Sequence, residues 1–158
     1  MADARVRAGV LRRVRRRADD HPGHAGPARL SAILQHRAGT TRQIYIGGSD
    51  GILRHDGGRW TWLPSPKRGP VRALHVDASG QVWFGGKDSF GYLKKLPTGE
   101  QQCVDLAPQF AKDLHGQAFS DVWNIAEFKG TIWFRALRDV FAVDASGKRL
   151  GYWHRAKR

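Results

Sequence analysis

A repeat of about 40 to 50 residues, the length of one four-stranded β unit, constrains this chain more than any other feature in it. Its clearest copy is an apolar strand from Val71 to Val76, a tight turn Asp77-Ala78-Ser79-Gly80, and an aromatic strand Gln81-Val82-Trp83-Phe84 closing on Gly85-Gly86. Asp and Gly are what such a turn requires: the carboxylate accepts nearby backbone N–H groups, and glycine reaches positive φ without a clash. An earlier copy of the second half runs from Gln43 to Leu63, with Tyr45 in the place of Trp83 and Gly47-Gly48 in the place of Gly85-Gly86. Leu30, Ile33 and Gly39 stand at the spacing of Val71, Leu74 and Gly80, which predicts a degenerate first strand upstream. A later copy runs from Val122 to Trp153 with Trp133 at the aromatic position, and there Arg135-Ala136 replaces the glycine pair.

The aromatic positions Tyr45, Trp83 and Trp133 are 38 and 50 residues apart, near the length of one propeller blade. The longer spacing is accounted for by an insertion at Pro108 to Asp121. The expected fold is therefore all-β: an incomplete β-propeller of about three four-stranded blades, at residues 30–63, 71–106 and 122–154. Nineteen glycines and six tryptophans agree with a turn-rich β protein rather than a helical bundle. Strands such as Gln81 to Phe84, apolar on both faces, read as inner strands covered by neighbouring blades. The glycine pairs Gly47-Gly48 and Gly85-Gly86 read as turns near a channel where a side chain would clash. Three blades do not close a ring that takes four to eight, so the chain reads as a fragment, or as a piece completed by further blades or self-association.

Ser49-Asp50-Gly51-Ile52-Leu53-Arg54-His55-Asp56-Gly57 and Asp77 to Gly86 resemble the two-component regulator propeller repeat. The stretches Phe84 to Leu93 and Phe119 to Trp123 are similar to a subgroup found in the extracytoplasmic regions of hybrid histidine kinases and diguanylate cyclases. The resemblance covers residues 43–154. It implies a sensing segment of a bacterial signal-transduction receptor, periplasmic in location, that binds a small molecule or a protein.

The first part of the chain is different in kind. Of the formal charge of +13, residues 1–42 hold ten arginines against three aspartates, a share of +7, leaving +6 for residues 43–158. Arg12-Arg13-Val14-Arg15-Arg16-Arg17 is followed by Pro22, Gly23, Gly26 and Pro27, so residues 1–28 are expected to form a disordered basic tail. Clustered arginines can neutralise successive phosphates, and a free-standing nucleic-acid-binding β protein is the alternative, disfavoured reading. His21 and His24 beside Asp19 and Asp20 do not make a metal site, because a Pro/Gly-broken segment does not hold ligands in fixed geometry. No apolar run approaches the ~18 residues of a membrane span, and no secretory signal is visible as the chain stands. Cys103 is single and reads as a buried, inert strand residue.

Catalytic chemistry has little support in the sequence. Asp50, Asp56, Asp77, Asp88 and Asp144 could be paired carboxylates for glycoside chemistry, but their turn positions favour hydrogen-bonded turns. Ser49, Ser89 and Ser120 lack a nucleophile context, and His55 and His75 sit in strand patterns without an obvious partner. Trp60, Trp62, Trp83, Trp123, Trp133 and Trp153 could line a carbohydrate surface, yet their recurrence favours packing between blades. By analogy with closed propellers, Arg54, Lys87, Tyr92 and Arg135, at or just after strand ends, are the candidates for ligand contact. No enzymatic activity, cofactor or metal is expected.

Overall fold

A computed structural model describes residues 32–38 and 41–156. Twelve strands form three four-stranded antiparallel meanders. The first holds β1 (Ala32–Ala38), β2 (Thr41–Gly47), β3 (Gly51–His55) and β4 (Trp60–Pro64); the second β5 (Val71–Val76), β6 (Val82–Gly86), β7 (Ser89–Lys95) and β8 (Gln101–Asp105). The third holds β9 (Asn124–Phe128), β10 (Thr131–Arg135), β11 (Asp139–Asp144) and β12 (Arg149–His154). Successive sheets stack face to face with first strand beside first strand, β1 against β5 and β5 against β9, which gives an all-β, propeller-like array. The residues expected to form a disordered tail, 1–28, lie outside those described, as do Leu30 and Gly39.

The repeat has a direct reading in this array. Tyr45, Trp83 and Trp133 each stand in the second strand of their sheet. Because alternate residues face opposite ways, each aims at the side of the following sheet, and its successor (Ile46, Phe84, Phe134) aims back. Tyr45 accordingly packs with Val71, Val82 and Phe84 of the second sheet, and Trp83 meets Phe134 of the third edge to face, with ring centroids 6.0 Å apart. Ile33 pairs with Ile46, Leu74 with Phe84 and Ile125 with Phe134, so the first strands share one register.

Two expectations change here. Gln81–Phe84 does not belong to an inner strand: Val82–Gly86 is second in its sheet, and the first strand Val71–Val76 lies beside the neighbouring sheets' first strands. The second strand reads as doubly apolar because two other sheets cover its faces. The glycine pairs have a different duty from channel turns. A Cβ on Gly47 would lie 2.6 Å from the Val71 carbonyl oxygen, and one on Gly85 would lie 2.6 Å from the Cγ1 of Val122. Each second strand thus leaves a bare backbone on which the valine opening the next unit sits, and the valine N–H donates to the following glycine: Val71 to Gly48 at 2.9 Å, Val122 to Gly86 at 3.1 Å.

The larger core lies between the second and third sheets and contains Trp83, Phe90, Phe110, Phe119, Phe134 and Phe141. Phe90 is its centre, with ring centroids of Phe110, Phe119, Phe134 and Phe141 between 4.6 and 5.8 Å away. Phe110 and Phe119 come from the long connection, so that insertion is anchored by two buried rings. Its first part coils as a 3-10 turn, Ala107–Phe110, and a helical turn, Ala111–Leu114. Gln109 donates to the Gly147 carbonyl and accepts from the Arg149 N–H, holding these turns against the β11–β12 corner.

The Asp-Ala-Ser-Gly turns match one another atom for atom. Oδ1 of Asp77 accepts from the Ser79 N–H and hydroxyl and the Gln81 N–H; Asp144 does the same with Ser146 and Lys148. Gly80 and Gly147 take φ of 88° and 87°, a conformation that costs glycine little. Asp77 also accepts the buried indole N–H of Trp83 at 2.9 Å. Burial alone would raise the Asp77 carboxyl, but the Ser79, Trp83 and Gln81 donors outweigh it and the net direction is down. Asp144 is lowered by Ser146 and Lys148. A carboxyl lowered on folding contributes stability above its unfolded value of about 4, and loses it as pH falls through the folded value. The urea midpoint should therefore drop below about pH 4, and drop less steeply in Asp77→Asn. A native midpoint flat across that range would contradict this account of the turns.

Candidate functional site

The four residues expected to contact ligand do not converge. Arg54 lies within β3 and spans two sheets, its Nη1 donating to Gln101 Oε1 at 2.6 Å, while the Tyr45 hydroxyl donates to the same oxygen at 3.3 Å. Tyr92 lies within β7, half-buried, with its ring 5.6 Å from that of Trp83. Lys87 follows β6 and forms an isolated bridge with Asp121. Arg135 ends β10 and donates from Nε and Nη2 to Asn124 Oδ1 at 3.1 and 2.7 Å. Of the four, Arg135 is the last residue of a second strand and Lys87 comes just after one.

Other side chains also depart from the sequence reading. His75 has a partner, Glu127 of the next sheet, 3.3 Å from its Nε2. The His55 ring lies 4.5 Å from that of Trp60. Of the tryptophans, Trp83 is fully buried between sheets, whereas Trp123 and Trp153 are about half exposed, at 49% and 52%. Trp123 lies beneath the Arg72 guanidinium, 5.5 Å from its ring centroid, and Trp153 packs on Trp133. Cys103 is half-buried in β8, and desolvation pushes its thiol up to about 12. A thiol held protonated in this way is a poor nucleophile at neutral pH.

A concave feature lies elsewhere among the described residues. A cleft of about 510 Å³ opens between the insertion (Asp113 to Ser120) and the end of the third sheet (Leu137, Arg138, Asp139, Tyr152 and His154). This volume is in the range of small-molecule sites. The fold builds it in three steps. Phe110 and Phe119 fasten the insertion to the core, and Arg149 clasps Asp113 through Nε and Nη2 at 3.1 and 2.9 Å. Between them His115 and Gly116 turn the chain at φ of 50° and 76°, closed by the Gln117 N–H donating to Leu114. At the far end Asp88 exchanges two hydrogen bonds with Ser120, through its backbone N–H at 2.9 Å and its Oδ1 at 2.7 Å.

Asp139 forms the cleft's polar centre. It opens β11, is 6% exposed, and is one of four buried polar or charged residues among those described. Its Oδ1 accepts from the Tyr152 hydroxyl at 2.7 Å and from His154 Nδ1 at 2.9 Å. Cross-strand geometry makes this possible: His154 pairs directly with Asp139, and Tyr152, two residues earlier, is its diagonal neighbour on the same face. Burial, then the hydrogen bond to Asp139 and the charges of Asp139 and Asp113, push the Tyr152 phenol far above its ordinary range. At neutral pH it is a hydroxyl donor. No cluster of three metal-binding side chains occurs among the described residues, and none of their helices is long and apolar enough to cross a membrane.

Comparison of the chain with protein families, with curated proteins and with solved structures finds no match.

Tyr152-x-His154 is a period-2 pair that a strand places on one face, a signal present in the sequence but weak without its acceptor. Tyr152→Phe removes one donor from a nearly buried carboxylate and should lower unfolding free energy by about 1.5–3 kcal/mol, the usual worth of a hydrogen bond to a charged group. Urea unfolding checks this, and a change within about 0.5 kcal/mol would mean that the bond is not a structural brace.

Proposed function

We propose that this chain is a non-catalytic, ligand-binding propeller segment serving the sensing region of a bacterial signal-transduction receptor, located in the periplasm. The observation that carries the reading is the cleft centred on Asp139, built by an insertion that interrupts an otherwise regular repeat. A blade needs no such insertion to fold, as the first two units show by running from β4 into β5 across six residues, 65–70. Extra chain held over a sheet end by two phenylalanines and an ion pair is the kind of loop that carries binding on a rigid scaffold. The resemblance of residues 43–154 to regulator propeller repeats supports the assignment to signalling.

Binding without turnover also agrees with the side chains present. The Tyr152 hydroxyl and the His154 ring are each hydrogen-bonded to the Asp139 carboxylate, and a phenol held protonated at neutral pH is a positioning donor rather than a base. Transmission would run through Phe119, which lines the cleft and packs on Phe90 and Phe141 of two different sheets. Any ligand that moves the insertion acts on that core.

A screen of small molecules against the isotopically labelled chain tests the reading. It should yield ligands whose amide shifts cluster at residues 113–120, 137–139 and 152–154, each recovered chemically unchanged. A compound converted to product, or binders that all map away from this cleft, would refute it.

A further inference from the structure

The first two sheets each turn a set of apolar side chains toward the sheet that follows. Tyr45, Ile52 and Leu63 are buried against the second sheet, and Trp83, Phe90 and Leu106 against the third and its insertion. The register places Trp133, Val140 and Trp153 at the same three positions of the third sheet: Val140 lies two residues before Ala142, the partner of Trp133, and pairs with Trp153. They are apolar there too, yet Trp133 and Val140 are only half-buried and Trp153 is exposed. The face around them is flat. Ala126 and Ala142 flank Trp133, and Trp153 lies over Gly151, where an added Cβ would come within 2.6 Å of its ring. Phe128, two residues beyond Ala126 on the same side, extends the patch and is 64% exposed.

We infer that this face pairs with the same face of a second copy of this chain, third sheet on third sheet. Its side chains continue the series of sheet-on-sheet contacts inside the chain, so another sheet is the partner they fit. A further sheet entering as the second and third do is not that partner. Its opening valine would need a glycine seat, and Arg135 stands in that place. The opposite end of the array does not supply the mate either. On the outward side of the first sheet Ile46 and Leu53 are already buried, with Ile44, Trp60 and Trp62 packed on them. The exposed large apolar side chains among the described residues all lie between Trp123 and Trp153. A patch without a complement elsewhere on the described surface is matched by itself across a two-fold axis, an arrangement that closes at two copies. Arg135, at the end of β10 and bonded to Asn124, falls at the rim of such an interface, where its charge stays in water. Asp139 and Tyr152 alternate with Val140 and Trp153 and face the other side of the sheet, so the cleft stays open in the pair.

The test is sedimentation velocity of the full chain from micromolar to near-millimolar concentration, with the indole N–H signals followed by NMR over the same series. A reversible equilibrium that stops at two copies is expected, with concentration-dependent shifts at Trp133 and Trp153 and none at Trp60, Trp62 or Trp83. Trp153→Arg, with a native amide spectrum otherwise, should weaken the pairing about thirtyfold or more, the effect of losing a central aromatic anchor. If that variant does not fold, the indole shifts of the native chain decide the matter. A monomer throughout, species that grow beyond two copies, shifts at Trp60 and Trp62 in place of Trp133 and Trp153, or undiminished pairing in folded Trp153→Arg would overturn the inference.

Discussion

Each valine that opens a new sheet rests on a glycine of the sheet before it, and the rest of the array depends on that contact. Gly47 and Gly85 have no side chain because the backbone or side chain of Val71 and Val122 occupies the space. The accompanying N–H bonds to Gly48 and Gly86 fix depth and angle together. A close backbone approach of this kind sets the separation of the sheets, and the aromatic side chain two residues before each of these glycines, Tyr45 or Trp83, then fills the space between them. Interiors are packed at crystal-like density, so a Cβ at Gly47 would collide with the Val71 backbone and one at Gly85 with the Cβ and Cγ1 of Val122, and the valine would have to move.

The third unit departs from this rule. Arg135 holds the place of Gly47 and Gly85, and it is exposed and bonded to Asn124 within its own sheet. On the same face Trp133 packs on Trp153, where the earlier units place an aromatic against the next sheet. The third sheet also carries the insertion-built cleft. Replacement of the seat and acquisition of the cleft thus occur in one unit, which makes it the specialised blade of the three.

Much of this was legible in the sequence, and the reasons are local. Tyr45, Trp83 and Trp133 announce equivalent second strands because strand period and repeat length are written into one chain segment. The Asp-Ala-Ser-Gly turns are legible because their donors and acceptors lie within four residues. What was not legible depends on register and on distant partners. A bulge between Val71 and Ala73 lies where Arg72 reaches toward Asp121 and Trp123, and a second irregularity between Ala142 and Val143 shifts β12. His75 and Glu127 are 52 residues apart in sequence and meet only because two sheets stack. Asp139 gave no signal beyond a charged residue at a strand start, and its meeting with Tyr152 and His154 follows from the pairing of β11 and β12. The exposed Trp123 and Trp153 mislead for the same reason: aromatic recurrence marks an equivalent position without saying whether a neighbour covers it.

If the glycine seats order the array, amide hydrogen exchange at Val71 and Val122 will report it. Both residues precede or open a first strand, where an amide without a partner in the preceding sheet would exchange with solvent quickly. Both should be protected to the same extent as the interior amides of β6 and β10 and open with them. Exchange of Val71 and Val122 at the rate of the turn amides, while β6 and β10 stay protected, would mean that the sheets fold as separate meanders and that the seats do not hold them together.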